Sequence, residues 1–218
     1  TFYMWQWAGY NENGISQFYT RYGEGDQAVL DGKANVGDLI LDADGKPVTT
    51  LTPEEKDRTI VGYAQPKLTL GWNNTVTFRN WDLNAFFTGV FGQKIFNEPR
   101  AYYESIANVR AGKNVMVSII ENQKFTDSSS NYPSDRYLEN GSYFKLATLT
   151  LGYTFRNCFD GWLKDLRLYV SANNVFTITS YKGRDPEICL GGLEPGNDTR
   201  SDHYPRTRQV LVGVNVNF

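Results

Sequence analysis

Apolar and polar residues alternate along several stretches of the chain, which is the pattern of a β-strand with one apolar face. The last nine residues, VLVGVNVNF, place four valines and Phe218 on one side and Leu211, Gly213, Asn215 and Asn217 on the other. A strand at the end of a chain leaves unpaired N–H and C=O groups along an edge, and proteins normally protect such edges. The pattern therefore raises the question of what this strand pairs with and what its valine face contacts.

Four earlier stretches, residues 68–78, 81–95, 142–155 and 165–181, show the same alternation. The first two predict a hairpin, because only the short turn Arg79-Asn80 separates them. The predicted apolar faces are Leu68, Leu70, Trp72, Val76 and Phe78; Trp81, Leu83, Ala85, Phe87, Phe91 and Ile95; Tyr143, Ala147, Leu149, Leu151, Tyr153 and Phe155; Leu166, Leu168, Val170, Ala172, Phe176 and Ile178. The opening residues, TFYMWQWAGY, predict a less regular sixth strand.

Short and long connections alternate between these strands. Residues 79–81 and 157–164 are brief turns, whereas residues 11–61, 98–135 and 182–207 are long and polar. Outer-membrane β-barrels are built in this way, with short periplasmic turns, long extracellular loops and strands of about 9 to 11 residues. In such a barrel the last strand pairs on both sides and its valines face lipid. A soluble β-sandwich, whose strands also alternate, is the alternative interpretation.

Large aromatic residues collect beside the short turns. An outer-membrane barrel carries such residues in a girdle at each membrane interface. The predicted girdle at the periplasmic end consists of Phe78, Trp81, Tyr153, Phe155, Trp162 and Phe218.

The composition is typical of a strand-rich chain with a small net charge. The sequence contains 14 Tyr, 13 Phe, 5 Trp and 20 Gly, with a net charge of -2 and a mean hydropathy of -0.47. No apolar run approaches the roughly 20 residues of a membrane helix, and the scattered Lys and Arg argue against nucleic acid as a partner. The first residues also lack the pattern of a secretion signal, so we expect a piece of a longer protein.

Four segments, residues 62–97, 134–155, 166–187 and 204–218, resemble the C-terminal end of SusC/RagA-type TonB-linked transporters from Bacteroidetes outer membranes. The stretches NNVFTITSYKG and GGLEPGND are most similar to the starch-system branch, SusC. The resemblance implies an all-β chain: about six antiparallel strands of a large transmembrane β-barrel of about 22 strands, with long extracellular loops and a plugged lumen. Residues 1–218 would be the C-terminal segment, without the N-terminal plug, the TonB box and the remaining strands.

The same resemblance implies a function at the cell outer membrane. Such a transporter imports oligosaccharides, here glycans like starch or maltooligosaccharides, together with a SusD-like surface lipoprotein and with energy supplied through TonB. The other implied contact is outer-membrane lipid. A RagA-like peptide importer and an outer-membrane β-barrel enzyme are the alternatives. We predict no enzyme, because the only histidine, His203, is most simply a solvated loop residue.

Loop residues are the candidates for contact with substrate or partner. Aromatic faces stack on the C–H faces of sugar rings, and charged or amide groups bind hydroxyls in a concave pocket. The candidates are Asn97, Tyr102, Tyr103, Tyr181, Arg184, Asp185, Tyr204 and Arg206. Packing of the loops against each other is the alternative role for each of them.

Two further expectations concern a metal and the cysteines. Family members often carry a fuller calcium-type loop where this chain keeps Asp42 and Asp44, so a structural Ca²⁺ competes with a simple Asp-Gly turn, and no other cofactor is expected. Cys158 lies in a short turn and Cys189 in a long loop. We predict that they are unpaired, because a hydrocarbon layer about 30 Å thick would separate them.

Overall fold

The computed structural model describes residues 1–122, 132–158, 163–187, 195–199 and 204–217. The chain divides into two compact units. The first unit contains residues 1–65, 94–139 and 189–203, and the second unit contains residues 66–93, 140–188 and 204–218.

The strands, in chain order, are β1 Phe2–Trp5, β2 Trp7–Tyr10, β3 Ser16–Tyr19, β4 Thr49–Thr50, β5 Arg58–Gly62, β6 Leu68–Phe78, β7 Trp81–Phe91, β8 Lys94–Asn97, β9 Leu138–Asn140, β10 Tyr143–Cys158, β11 Leu163–Thr179, β12 Asn197–Asp198 and β13 Gln209–Asn217. The α-helices are α1 Gln27–Leu30, α2 Glu98–Tyr103, α3 Ile106–Arg110 and α4 Val117–Asn122. Single 3₁₀ turns cover Glu55–Asp57 and Asp135–Tyr137. In the described part of the chain, every helix is too short or too polar to cross a membrane.

The second unit is built on one antiparallel sheet of five strands in the order β13-β11-β10-β7-β6, here called the long sheet. All five strands coincide with the alternating stretches of the sequence, so that prediction is confirmed. Phe78 pairs with Trp81 across the predicted two-residue turn, in which Arg79 has a φ of 55°. At the edge of the long sheet, the valines of β13 align with Leu166, Leu168, Val170 and Ala172 of β11.

One face of the long sheet is apolar and exposed. Trp72 is 53% exposed, Phe78 65% and Val212 78%. Trp72 stacks on Phe87 at 5.3 Å between ring centroids, and Phe87 stacks on Phe144 at 5.6 Å. Large apolar side chains that ordinarily form a core are therefore exposed along this face.

The opposite face is polar, and its side chains bond across the strands. Asn84 of β7 donates its amide hydrogens to Asn73 Oδ1 at 3.0 Å and to Thr75 Oγ1 at 2.9 Å on β6. Thr150 of β10 and Ser171 of β11 join their hydroxyl groups at 2.8 Å. The two faces therefore differ in chemistry along the whole sheet, as the alternation predicts.

The predicted face of Tyr143 is wrong, because β10 contains a bulge. The pairing of β10 with β7 shifts register between Leu146 and Thr148. An extra residue at a bulge moves every later side chain to the other face. Tyr143 consequently lies on the polar face, where it is only 3% exposed, and Phe144 takes its place on the apolar face.

The predicted strand over residues 81–95 also ends early. β7 stops at Phe91, because Gly92 has a φ of +87°, a left-handed conformation that breaks a ladder and suits glycine. Ile95 therefore belongs to β8 in the first unit, where it is 1% exposed and part of a core. Its predicted place on the apolar face of the long sheet is wrong.

The first unit consists of short elements around its own core. Its three small sheets are β1-β5, β2-β3-β4 and β12-β8-β9. The core side chains include Trp5, Phe18, Ile95, Ile106, Ile119 and Tyr137. The opening residues form β1 and β2 in this unit, so the predicted sixth long strand is wrong. β1 ends at Trp5 and β2 ends at Tyr10, so each has four residues and neither reaches the length of a spanning strand.

Candidate functional site

Four of the six predicted girdle residues meet at one end of the long sheet. Trp81 packs edge-on against Tyr153 at 4.8 Å between centroids, and Tyr153 packs against Phe155 at 4.7 Å. Phe78 pairs with Trp81 in the adjoining strand. Trp162 and Phe218 lie outside the described residues, although Asn217 pairs with Asp165 near the same end. The register explains this cluster, because Trp81 pairs with Phe78 on one side and with Tyr153 on the other.

An ion pair crosses the polar face close to this aromatic end. Arg167 of β11 donates to both carboxylate oxygens of Asp82 on β7, at 2.9 and 2.5 Å. The pair passes over Gly152 of the intervening strand, where a Cβ atom would lie 2.5 Å from the Asp82 carboxylate. This glycine is needed for the close approach of neighbouring side chains. Arg167 also lies over the Tyr169 ring at 4.8 Å.

Charged residues also tie two loop segments to β10 at its other end. Lys145 Nζ lies 2.6 Å from Glu187, and Arg206 Nη1 lies 2.9 Å from the same carboxylate. Asp185 accepts hydrogen bonds from the backbone N–H groups of Glu187 and Arg206. The structure therefore brings the candidates Asp185 and Arg206 together, with both engaged in holding the loops.

The remaining candidates of the second unit differ in exposure. Tyr181 is 6% exposed, and its ring lies against Gly183, where an added Cβ would be only 2.3 Å away. Arg184 is exposed, and Tyr204 is 82% exposed. Tyr181 is therefore packed against its own loop, whereas Tyr204 is exposed to solvent.

Asn97 of the first unit acts as a helix cap. Its Oδ1 accepts the backbone N–H of Arg100 at 3.0 Å at the start of α2, and its Nδ2 lies 3.3 Å from Glu139. The side chain is 2% exposed. Asparagine is a preferred N-cap residue, so this candidate positions α2.

A buried cluster of charges lies beside this helix. Glu104 accepts from Arg100 at 2.9 Å and from Arg136 at 3.3 Å, while Arg100 also binds Glu139 at 2.9 Å. Burial opposes the charge on Arg100, but hydrogen bonds to Glu104 and Glu139 outweigh it and raise the pKa of the guanidinium. The four charges therefore neutralise each other within the unit.

Three aromatic rings surround Arg136 in the same cluster. Its guanidinium lies 5.0 Å from the Trp7 ring centroid, 5.1 Å from that of Tyr10 and 4.9 Å from that of Tyr137. Burial raises the pKa of the Tyr137 phenol. Cation–π contacts of this kind are strongest where water is excluded, so Arg136 anchors the 3₁₀ turn at Asp135–Tyr137.

An aromatic cavity of about 360 Å³ opens on the other side of Tyr137. Its lining residues are Phe96, Ala101, Tyr102, Ser105, Ala107, Asn108, Tyr132, Pro133 and Tyr137. Tyr102 was a predicted candidate, and its ring packs edge-on against Tyr103 at 5.2 Å. The volume lies at the lower end of the roughly 300 to 1,000 Å³ that is usual for small-molecule pockets.

The Asp42 and Asp44 segment forms a tight turn. Asp42 Oδ1 accepts the backbone N–H groups of Asp44 and Lys46, each at 2.9 Å, and Gly45 has a φ of 75°. Across the described ranges, no group of three or more His, Cys, Asp or Glu side chains converges as a metal site. A calcium ion here stays a prediction.

Comparison with known proteins identifies relatives along the whole chain. TonB-dependent receptor P3 of Formosa agariphila is 29% identical over 238 residues, covering 100% of this chain and 22% of that protein. TonB-dependent receptor SusC of Bacteroides thetaiotaomicron is 24% identical over 205 residues, covering 82% of this chain and 18% of that protein. The chain is similar to TonB-dependent receptors of the SusC/RagA type. It spans about a fifth of the length of the curated relatives that it matches. No protein-family model matches it.

Solved structures extend the SusC/RagA-type likeness to the fold. The RagAB peptide transporter superposes with a TM-score of 0.74 at 24% identity, covering 100% of this chain and 23% of that chain. The RagAB peptide importer in its open-open state gives the same TM-score and identity. The chain therefore shares the fold of part of these structures, and the all-β prediction is confirmed. The similar proteins are receptors and transporters, in agreement with the prediction that the protein is not an enzyme.

Some SusC/RagA-type expectations cannot be compared with the structure. His203 and Cys189 lie outside the described residues, as does the side chain of Cys158. The predicted absence of a disulfide therefore stays a prediction.

The sequence reasoning missed the charged cluster and most of the cavity wall. One readable signal was the i,i+4 spacing of Arg100 and Glu104 after the Asn97 cap. Asn108 and Tyr132 carried no such signal, because their neighbours in space are distant in sequence.

Proposed function

We propose that the chain forms part of an outer-membrane receptor and that the apolar face of the long sheet contacts lipid. The observation that carries this proposal is the continuous exposure of Leu, Val, Phe and Trp side chains on that face. Such a surface in water would favour association, whereas hydrocarbon accommodates it.

The dimensions of the strands support lipid contact. β6 and β7 each contain 11 residues. At about 3.3 Å per residue and a tilt of about 40°, each spans roughly 25 Å, which is the height of the apolar band of a barrel. The aromatic end formed by Phe78, Trp81, Tyr153 and Phe155 would then lie at the periplasmic interface.

The edges of the long sheet support a larger barrel. β6 and β13 are its outer strands, and open strand edges do not occur in hydrocarbon because their N–H and C=O groups need partners. We propose that further strands of the whole protein complete the barrel, that residues 1–218 are its C-terminal portion, and that the plug is a separate part.

For the whole receptor we propose active import of oligosaccharides like starch or maltooligosaccharides, with a SusD-like surface lipoprotein as partner and TonB as energy source. Support comes from the likeness to SusC and from aromatic and amide groups in the loops. Peptide import is the second candidate, because the RagAB peptide transporter shares the fold over the whole chain.

Uptake by cells that carry the complete receptor tests this function. We expect cells to accumulate fluorescent oligosaccharides from a panel of neutral glucans, galactans, mannans and xylans, and to lose uptake when the receptor gene or TonB is deleted. Accumulation of labelled peptides without any glycan would favour the second candidate. Unchanged uptake of both probes after deletion of the receptor would refute import.

A further inference from the structure

We propose that the aromatic cavity of the first unit binds one ring of a neutral sugar. This inference rests on the proposed oligosaccharide function and assigns it a contact site. The site uses Tyr102 as a stacking surface and Asn108 as a hydrogen-bond acceptor, with Tyr132 as a second ring in the wall.

The ring of Tyr102 is held in place by its neighbours. Lys113 Nζ donates to the Tyr102 hydroxyl at 2.7 Å and lies 5.2 Å above its ring. Tyr103 packs against its edge. Because several contacts already fix the ring, a ligand that stacks on it does not have to order a mobile side chain.

Tyr132 is fixed in the same manner. Its ring packs edge-on against Trp5 at 5.2 Å and against Phe18 at 5.5 Å. Phe18 is 1% exposed, so this wall is continuous with the core of the unit. The cavity is therefore preformed by rigid aromatic groups, as small-molecule sites usually are.

Asn108 supplies the polar group. It is only 9% exposed, and its Nδ2 donates to the backbone carbonyl of Tyr102. Within the described residues, no hydrogen bond to its Oδ1 is formed. The hydroxyl of a bound sugar ring can donate a hydrogen bond to this oxygen.

The charges in this part of the unit indicate that the ligand is neutral. Arg100, Arg136, Glu104 and Glu139 pair with one another, and the cavity lining itself contains no charged residue. The ammonium of Lys113, beside the cavity, is engaged with the Tyr102 hydroxyl. A charged ring would therefore lose its hydration without meeting a charged residue in the lining. The polar amide and hydroxyl groups favour a sugar over the wholly apolar side chain of a peptide.

Binding to the complete receptor tests the site with three variants. Tyr102→Leu removes the stacking ring. Ala107→Trp fills the cavity from an exposed position and deletes no wall contact. Tyr63→Leu is the matched control, because this tyrosine of the first unit is 53% exposed and does not line the cavity.

The probes are the same panel of neutral oligosaccharides, measured by calorimetry on purified receptor. We expect the dissociation constant of the bound glycan to rise about tenfold in Tyr102→Leu and Ala107→Trp and to change less than about threefold in Tyr63→Leu. Circular dichroism and melting temperatures of all variants must match the wild type.

Two results would contradict the inference in distinguishable ways. If the wild type binds glycans and both cavity variants bind equally well, the cavity is not the site, while oligosaccharide import still holds. If the wild type binds no glycan in the panel but binds a peptide mixture, the proposed substrate and the sugar site both fail.

Discussion

The two units of the chain place their large apolar side chains in opposite ways. In the first unit, Phe18, Ile95, Ile106 and Ile119 are each 1% exposed, and even the charged side chains around Glu104 are paired and buried. In the second unit, Trp72, Val76, Phe78 and the valines of β13 are exposed on one side of a sheet. The first unit therefore has a core of its own, although single side chains such as Leu30 and Val117 are exposed.

This contrast supports the proposal that one face of the second unit contacts lipid. Burial of apolar area is worth about 25 cal/mol per Å², and the long sheet leaves much of that area open on one face. Its polar face is where the specific side-chain bonds lie, such as those of Asn84 and Arg167. The inside-out arrangement is that of an outer-membrane barrel.

The largest expected effect comes from placing a charge on the apolar face. Leu168→Arg should destabilise the receptor by up to about 4 kcal/mol near the membrane midplane, because hydrocarbon cannot solvate a guanidinium. Asn173→Arg, on the polar face of the same strand, should cost far less. Levels of folded receptor in the outer membrane measure both. An equal loss of folded receptor in the two variants would contradict the assignment of one face to lipid and the other to a polar environment.

A smaller effect is expected from neutralising the central carboxylate of the first unit. Glu104→Gln should cost about 3 kcal/mol, because Arg100 and Arg136 would lose a buried counter-charge. The control is Glu55→Gln, whose pair with Arg58 includes a carboxylate that is 72% exposed. That change should cost less than about 1 kcal/mol. Amide exchange in α2 of the complete receptor reports the difference, and equal exchange in the two variants would refute it.

Substitutions at two glycines on the polar face of the long sheet distinguish steric collision from the general effect of replacing glycine by alanine. A Cβ at Gly152 would collide with the Asp82–Arg167 pair at 2.5 Å, whereas at Gly71 the nearest atom is 3.9 Å away. Gly152→Ala should therefore cost about 2 kcal/mol, while Gly71→Ala should be neutral or slightly stabilising. The denaturant midpoint of the barrel measures both changes. If Gly71→Ala loses as much stability as Gly152→Ala, the collision with the Asp82–Arg167 pair is not the cause of the loss.

The smallest expected effect is a pH dependence in the first unit. Burial raises the pKa of Asp135, although the Trp7 N–H donates to its carboxylate at 2.8 Å. Since the folded unit then holds the proton more tightly than the unfolded chain, this contribution to stability is complete below the ordinary value of 3.8. It is lost as the pH rises through the raised value.

Asp135→Asn keeps an acceptor for the Trp7 N–H but does not titrate. Protection of the Trp7 amide, corrected for intrinsic exchange, should fall with rising pH in the wild type and stay level in the variant. The difference should remain below about 1 kcal/mol. Protection that increases with pH in the wild type would contradict the direction of the shift.

The sequence made the long sheet predictable because alternation is a local property of each strand. Residues such as Leu168 and Val212 could be placed on a face without knowing their partners. The bulge at Ala147 could not be predicted from the sequence. An extra residue shifts the alternation of a strand, and this shift is recognised only when the pairing with the partner strand is known. The end of β7 at Gly92 was equally unpredictable. The sequence does not distinguish a glycine with a positive φ from a glycine in an ordinary strand conformation.

The candidate site was less predictable, because its parts are distant in sequence. Tyr102 was found as a loop aromatic, but its cavity depends on Tyr132, which is anchored on Trp5 and Phe18. Asn97 and Tyr181 were the right residue types for sugar contact, yet the fold uses one as a helix cap and the other in packing. Residue type alone does not separate these roles.

The most direct test of the central claim is the environment of successive side chains along β13. Spin labels attached one at a time at positions 210 to 216 of the complete receptor in lipid vesicles, with native cysteines replaced by serine, report contact with lipid or water. Labels at Val210, Val212, Val214 and Val216 should be accessible to oxygen dissolved in the bilayer, and labels at Leu211, Gly213 and Asn215 should be less so. Equal accessibility at all seven positions, or the reverse alternation, would contradict the assignment of the apolar face to lipid.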